Sequence, residues 1–150
     1  MRRPKSFAWF YLWMLLTSGL FSVYWLYSLM EDINALAKRR IFRSGLAVTP
    51  LLLGFAGVIG GLVFMSAFQD AFMSNDAYQS AYVAVCIFAE VALFATGVSV
   101  YRGYLKLVGK PFGISDFGFA IGTSLMMFLL YPYVQIRVND RLAGEAQAVS

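Results

Sequence analysis

Apolar residues fill four long stretches of this chain, roughly 7–30, 46–69, 77–101 and 117–136, and nearly all the charge is confined to the gaps between them. A helix needs about 20 mostly apolar residues to cross about 30 Å of hydrocarbon, and each stretch meets that length. The pattern therefore predicts an all-α integral membrane helical bundle with three to four transmembrane helices. The stretches use more than half of the 150 residues. The gaps are too short to fold independently, so 1–150 reads as a single multi-pass membrane domain.

Two gaps carry a helical period of their own. After Met30, the residues Ile33, Leu36, Ala37 and Ile41 recur at helical spacing with charges on the other face. They predict a short amphipathic helix at the head groups, ended by Ser44-Gly45, with Pro50 in the first turns of the next helix. After Tyr131-Pro132-Tyr133, residues Val134, Val138 and Leu142 line one face, with Gln135, Arg137, Asn139 and Arg141 off it. This predicts a second interfacial amphipathic helix, kinked or restarted at Pro132. The two halves are thus faintly alike, Ile33-Asn34 corresponding to Val138-Asn139. Ser115 or Asp116 is placed to cap the fourth helix.

The first stretch has no Asp, Glu, Lys or Arg but holds two aromatic clusters, Trp9, Tyr11 and Trp13 before Thr17-Ser18-Gly19 and Tyr24, Trp25 and Tyr27 after it. Trp and Tyr prefer the membrane–water interface. A straight span puts one cluster at each interface, whereas a re-entrant hairpin bent at Ser18-Gly19 brings both to the same one. Length favours the span. Lys and Arg, which concentrate in cytoplasmic loops, favour the hairpin. In both foldings the loops around 31–45 and 102–116 are cytoplasmic and the loop from Asp70 to Asp76 faces out.

Helices in lipid associate through close backbone approach, which small residues permit. Gly57 and Gly61 form a Gly-x-x-x-Gly pair, Ala56 and Gly60 a second, and the third stretch offers the stripe Ala89, Ala92, Thr96, Ser99 and Gly103. The second and third stretches are expected to touch. The glycine pair also suits a homo-oligomer.

Composition sharpens this reading. The chain is 60% apolar and 13% charged, against about 45–50% and about 25% for a soluble domain. The net charge of +4 flanks apolar helices, which points to anionic lipid as partner and away from nucleic acid. The basic start, Met1-Arg2-Arg3-Pro4-Lys5, precedes an apolar run too long for a signal peptide, with no Ala-x-Ala site after it, so it reads as a retained membrane segment. There is no His and a single Cys86, and no phosphate-binding glycine loop. Asp70 and Asp76 make too few ligands for a metal. No catalytic residue, metal or cofactor is expected, and the chain reads as non-enzymatic.

The run Leu16-Thr17-Ser18-Gly19-Leu20-Phe21-Ser22-Val23-Tyr24-Trp25-Leu26-Tyr27, continued by Asp32-Ile33-Asn34-Ala35-Leu36, resembles the bacterial membrane-protein family DUF4234, with Phe21 in place of that family's first tyrosine. Gln135-Ile136-Arg137-Val138-Asn139 is similar to the Gln-x-x-x-Asn ending of some members. The resemblance covers about 30 residues well. It implies a multi-pass protein of the bacterial cytoplasmic membrane and no particular activity.

Two features are candidates for function. Glu90 lies near the middle of the third stretch, where an ionised carboxylate costs roughly 2.5–3.5 kcal/mol on insertion scales. Such a residue is expected to face the bundle interior, protonated or paired, either as a proton or cation site of a small transporter or channel component or as a packing group. Lys38, Arg39, Arg40 and Arg43 either recognise anionic lipid or simply set topology. The leading expectation is a membrane module that binds lipids or partner membrane proteins.

Overall fold

The second and third apolar stretches form an antiparallel helix pair that carries the rest of the molecule. In the computed structural model, which describes residues 8, 12, 20–124 and 127–148, the helices are α1 (Leu20–Leu36), α2 (Ser44–Ala67), α3 (Gln69–Met73), α4 (Asp76–Val108), α5 (Ile114–Ser124) and α6 (Met127–Ala148). Among the described residues there is no strand. The N-tail, the aromatic cluster around Trp9 and Trp13, and the bend at Ser18-Gly19 lie outside the described residues.

Helices α2 and α4 are long and apolar enough to cross a membrane, with mean hydropathy of 2.1 and 2.2 over their best windows. Only 17% and 22% of those windows are buried in the protein. A core helix of a soluble domain hides its apolar surface, and these two display it, as a helix solvated by lipid does. They touch along a seam of glycines. A Cβ on Gly54 would lie 2.9 Å from Ala89 Cα, and one on Gly57 would lie 2.7 Å from Val85 Cγ1. One on Gly61 would run into the Tyr82 ring. Gly57 and Gly61 thus serve contact within the chain. Ala56 is exposed, and Gly60 is exposed with open space where its side chain would be. Ala92 and Thr96 continue the buried stripe, whereas Ser99 is exposed and bonds the Ala95 carbonyl at 2.7 Å. The Thr96 hydroxyl likewise donates to the Ala92 carbonyl, 2.6 Å away. Such back-bonds keep hydroxyls satisfied where no water is available.

Short-range chemistry sets the ends. The Asn75 side chain accepts from Ala77 N at 3.0 Å and starts α4. Gly109, at φ 75°, stops it in the left-handed conformation, and Lys110 N closes on the Leu105 carbonyl at 2.9 Å. At the start of α5, the Asp116 carboxylate reaches back to Gly113 N at 3.0 Å, so Asp116 rather than Ser115 is the capping residue. Near Asp70 and Asp76 an aromatic group forms, with Phe64 5.2 Å from Phe68 and 5.3 Å from Tyr78 between ring centroids.

The core lies at the opposite end of the α2–α4 pair. There α1 and α6 pack on each other and on the C-terminal half of α4, burying Leu29, Met30, Ile33, Val100, Leu130, Val134 and Val138. Two expectations are corrected here. The residues after Met30 do not form a separate interfacial helix, because α1 continues through them to Leu36 and 37–43 is a loop. The next helix, α2, begins at Ser44, and Pro50 falls in its second turn, as expected. The second amphipathic piece is likewise one helix with the residues before it, since α6 passes through Pro132 without ending. The apolar faces of both pieces meet each other in the core, where burial removes them from lipid and water alike. The faint likeness of the halves has a structural counterpart: Trp25, Leu26, Leu29, Met30 and Ile33 are buried at the same spacing as Leu130, Tyr131, Val134, Gln135 and Val138.

The fourth stretch departs from the expected single helix. It is divided between α5 and α6, and α6 runs back along α5, bringing the Phe119 and Tyr133 rings to 5.6 Å. An unbroken apolar run specifies lipid or core but not direction.

Candidate functional site: the basic end and its cavity

The fold gathers the cations on one side. Beyond residue 5, all the Lys and Arg residues fall in the loop 37–43, the last two turns of α4, the loop after it, or the polar half of α6. These elements share one end of the molecule. The Phe42 ring fills the space beside Gly103, and Arg39 Nη2 donates to the Lys106 carbonyl at 3.5 Å. Among the described residues, the other end carries Asp70 and Asp76 and no cation.

Asn34 positions the first cluster. Its Oδ1 accepts from Ile41 N and Phe42 N, each at 2.8 Å, and its Nδ2 donates to the Phe42 carbonyl at 3.0 Å. Three bonds from one amide pin a loop that has no ladder of its own. Ser44 Oγ donates to Glu31 across the base of the same loop. Lys38 turns the chain in the left-handed region, at φ 50°. Lys38, Arg39, Arg40 and Arg43 are all exposed on this frame.

A second cluster was not assembled by sequence reasoning. A cavity of about 420 Å³ opens between α4, the loop after it, α5 and α6. Lys110, Arg137 and Arg141 line it with Tyr101, Tyr104, Tyr133 and a single acid, Asp116. Arg137 and Arg141 are one turn apart on α6 and share a face. The Arg137 guanidinium lies 5.7 Å from the centre of the Tyr133 ring, which braces it. The Arg137/Arg141 spacing is visible in the sequence. Nothing in the sequence brings Lys110 and the α4 tyrosines to them.

Glu90 does not face the interior as expected. Gly54 leaves room only for a residue as small as Ala89 at the α2–α4 seam. The next residue is turned by about 100° around the helix. Glu90 is therefore exposed, and it lines a groove of about 240 Å³ together with Phe55, Val58, Cys86, Ala89 and Leu93. Among the described residues no three acidic or sulfur side chains gather as metal ligands.

Compared with family models, curated proteins and solved structures, the chain matches none.

Proposed function

We propose that this protein is a non-enzymatic integral membrane module of the bacterial cytoplasmic membrane that binds lipids through its basic end. The observation that carries this reading is the division of the described residues into an outward-facing apolar helix pair and one end holding their cations. Helices α2 and α4 cross the bilayer, and the stretch 7–30 supplies a further crossing or a re-entrant hairpin. The basic end is cytoplasmic, as an excess of Lys and Arg dictates. Residues 16–36, with their resemblance to DUF4234, accord with a multi-pass protein. Each basic residue near an anionic surface contributes about 1 kcal/mol. Replacing Lys38, Arg39, Arg40 and Arg43 together by Gln is expected to weaken retention of anionic lipid in purified protein about tenfold or more, with its melting temperature unchanged. Equal retention by both proteins defeats the reading.

The exposed position of Glu90 favours one second reading, a transporter or channel component that works as an oligomer. A lone carboxyl facing hydrocarbon is costly, and contact with a second copy or a membrane partner removes that cost. Glu90→Gln is expected to abolish a pH-dependent flux in vesicles while leaving the fold intact. A flux that is the same in both proteins excludes this role.

A further inference from the structure

We propose that the cavity ringed by Lys110, Arg137 and Arg141 is a binding site for a phosphate group, carried by an anionic phospholipid. The inference rests on the membrane reading for its setting. It concerns residues other than the loop cluster Lys38–Arg43.

The charge is one-sided. Three cations face the space against one carboxylate, and Asp116 already accepts a bond from Gly113 N. Asp140, the acid between the two arginines in sequence, does not line the cavity. Like charges brought this close repel, and an anion between them relieves the repulsion. Arginine suits phosphate in particular, because its planar fork matches two phosphate oxygens at once. Two arginines one turn apart can grip a single tetrahedral group from the same side, with Lys110 adding a point charge from the loop. Tyrosine hydroxyls supply neutral donors to the remaining oxygens.

The walls favour a lipid over a soluble ion. Rings continue from the cavity toward the outer surface: Tyr101 to Phe119 at 5.2 Å, and Phe119 to Tyr133 at 5.6 Å. Phe119, which touches Tyr101 and Tyr133, is 42% exposed, and Leu105 and Val108 add apolar wall. A phosphate held by the cations therefore has apolar surface beside it for the glycerol and upper acyl carbons. A free phosphate has no use for that surface. At about 420 Å³ the space exceeds what a bare phosphate fills and leaves room for the rest of a head group.

The test compares the wild-type protein, R137Q/R141Q, R137K/R141K and the four-site loop variant, each reconstituted in phosphatidylcholine nanodiscs with or without phosphatidylglycerol. Native mass spectrometry counts retained phosphatidylglycerol, and thermal unfolding in pure phosphatidylcholine discs is followed with added inorganic phosphate. The expected result is two separable retained phosphatidylglycerol populations: one held about tenfold more weakly by R137Q/R141Q, and to an intermediate degree by R137K/R141K, which keeps charge but lacks the fork, and one weakened only in the loop variant. The loop variant keeps the first of these lipids. Stabilisation of the wild-type protein by inorganic phosphate, lost in R137Q/R141Q, also supports the phosphate site and assigns it to a soluble source if phosphatidylglycerol retention is unchanged. If R137Q/R141Q matches the wild-type protein in both measurements, the proposal is wrong. Loss of lipid in the loop variant alone overturns it while leaving the broader lipid reading intact. Equal unfolding temperatures of the variants without ligand separate a lost site from a lost fold.

Discussion

Replacing Gly54 by Leu is expected to lower the stability of the protein by about 3 kcal/mol, the upper part of the usual range for overpacking. Even a methyl group there would meet Ala89 Cα and Cβ at 2.9 Å. Ala89 is on the opposite helix and its Cα cannot rotate away, so α2 and α4 must separate. Separation forfeits dispersion contacts along the whole seam, and in lipid these are the main attraction between helices. Gly60→Leu is the matched control. It adds the same side chain to the same helix, at a position facing open space. Thermal unfolding in detergent should show a large loss for the first and almost none for the second. Equal melting temperatures would mean that the glycine seam does not hold the pair.

Asn34→Ala is expected to cost about 2–4 kcal/mol, because it strands two partly buried backbone N–H groups and one carbonyl at once. The damage should be local. Hydrogen exchange at the Ile41 and Phe42 amides should accelerate more than at the core of α4. Asn34→Asp keeps the acceptor for both amides and loses only the donor to Phe42 O, so its loss should be smaller. A uniform acceleration along the chain in Asn34→Ala would show instead that the loop and the core unfold as one unit.

The helix pair was legible in the sequence because its two causes are local: twenty-residue apolar runs, and small residues at helical spacing. Gly57 and Gly61 meet α4 for that reason, and the stripe holds at Ala89, Ala92 and Thr96 while missing at Ser99. What a face meets is not local. The period through Ile33 and Val138 correctly marks an apolar side, and both side chains are fully buried. Their partner is protein rather than the head-group region, which no single-helix pattern encodes. Reversal of the chain between α5 and α6 is equally silent, since both limbs are apolar. Glu90 was found from its isolation in an apolar run, and its direction was misread because a neighbour, Ala89, claims the seam. The cavity draws on α4, α5, α6 and a loop, so only the pair Arg137 and Arg141 has a sequence signature.

Helix α4 has 33 residues, a length of about 50 Å. The hydrocarbon of a bilayer is about 30 Å thick, so in the proposed membrane setting the helix is longer than its crossing. The surplus has to be absorbed by leaning or by standing clear of the oil, and the balance shifts with the thickness of the surrounding membrane. Because Gly109 and Lys110 follow the last turn of this one rigid rod, a change in its slant also changes the depth of the loop beyond it. On the proposed membrane reading, bilayer thickness is thereby coupled mechanically to how far the polar face of the protein stands from the lipid phosphates.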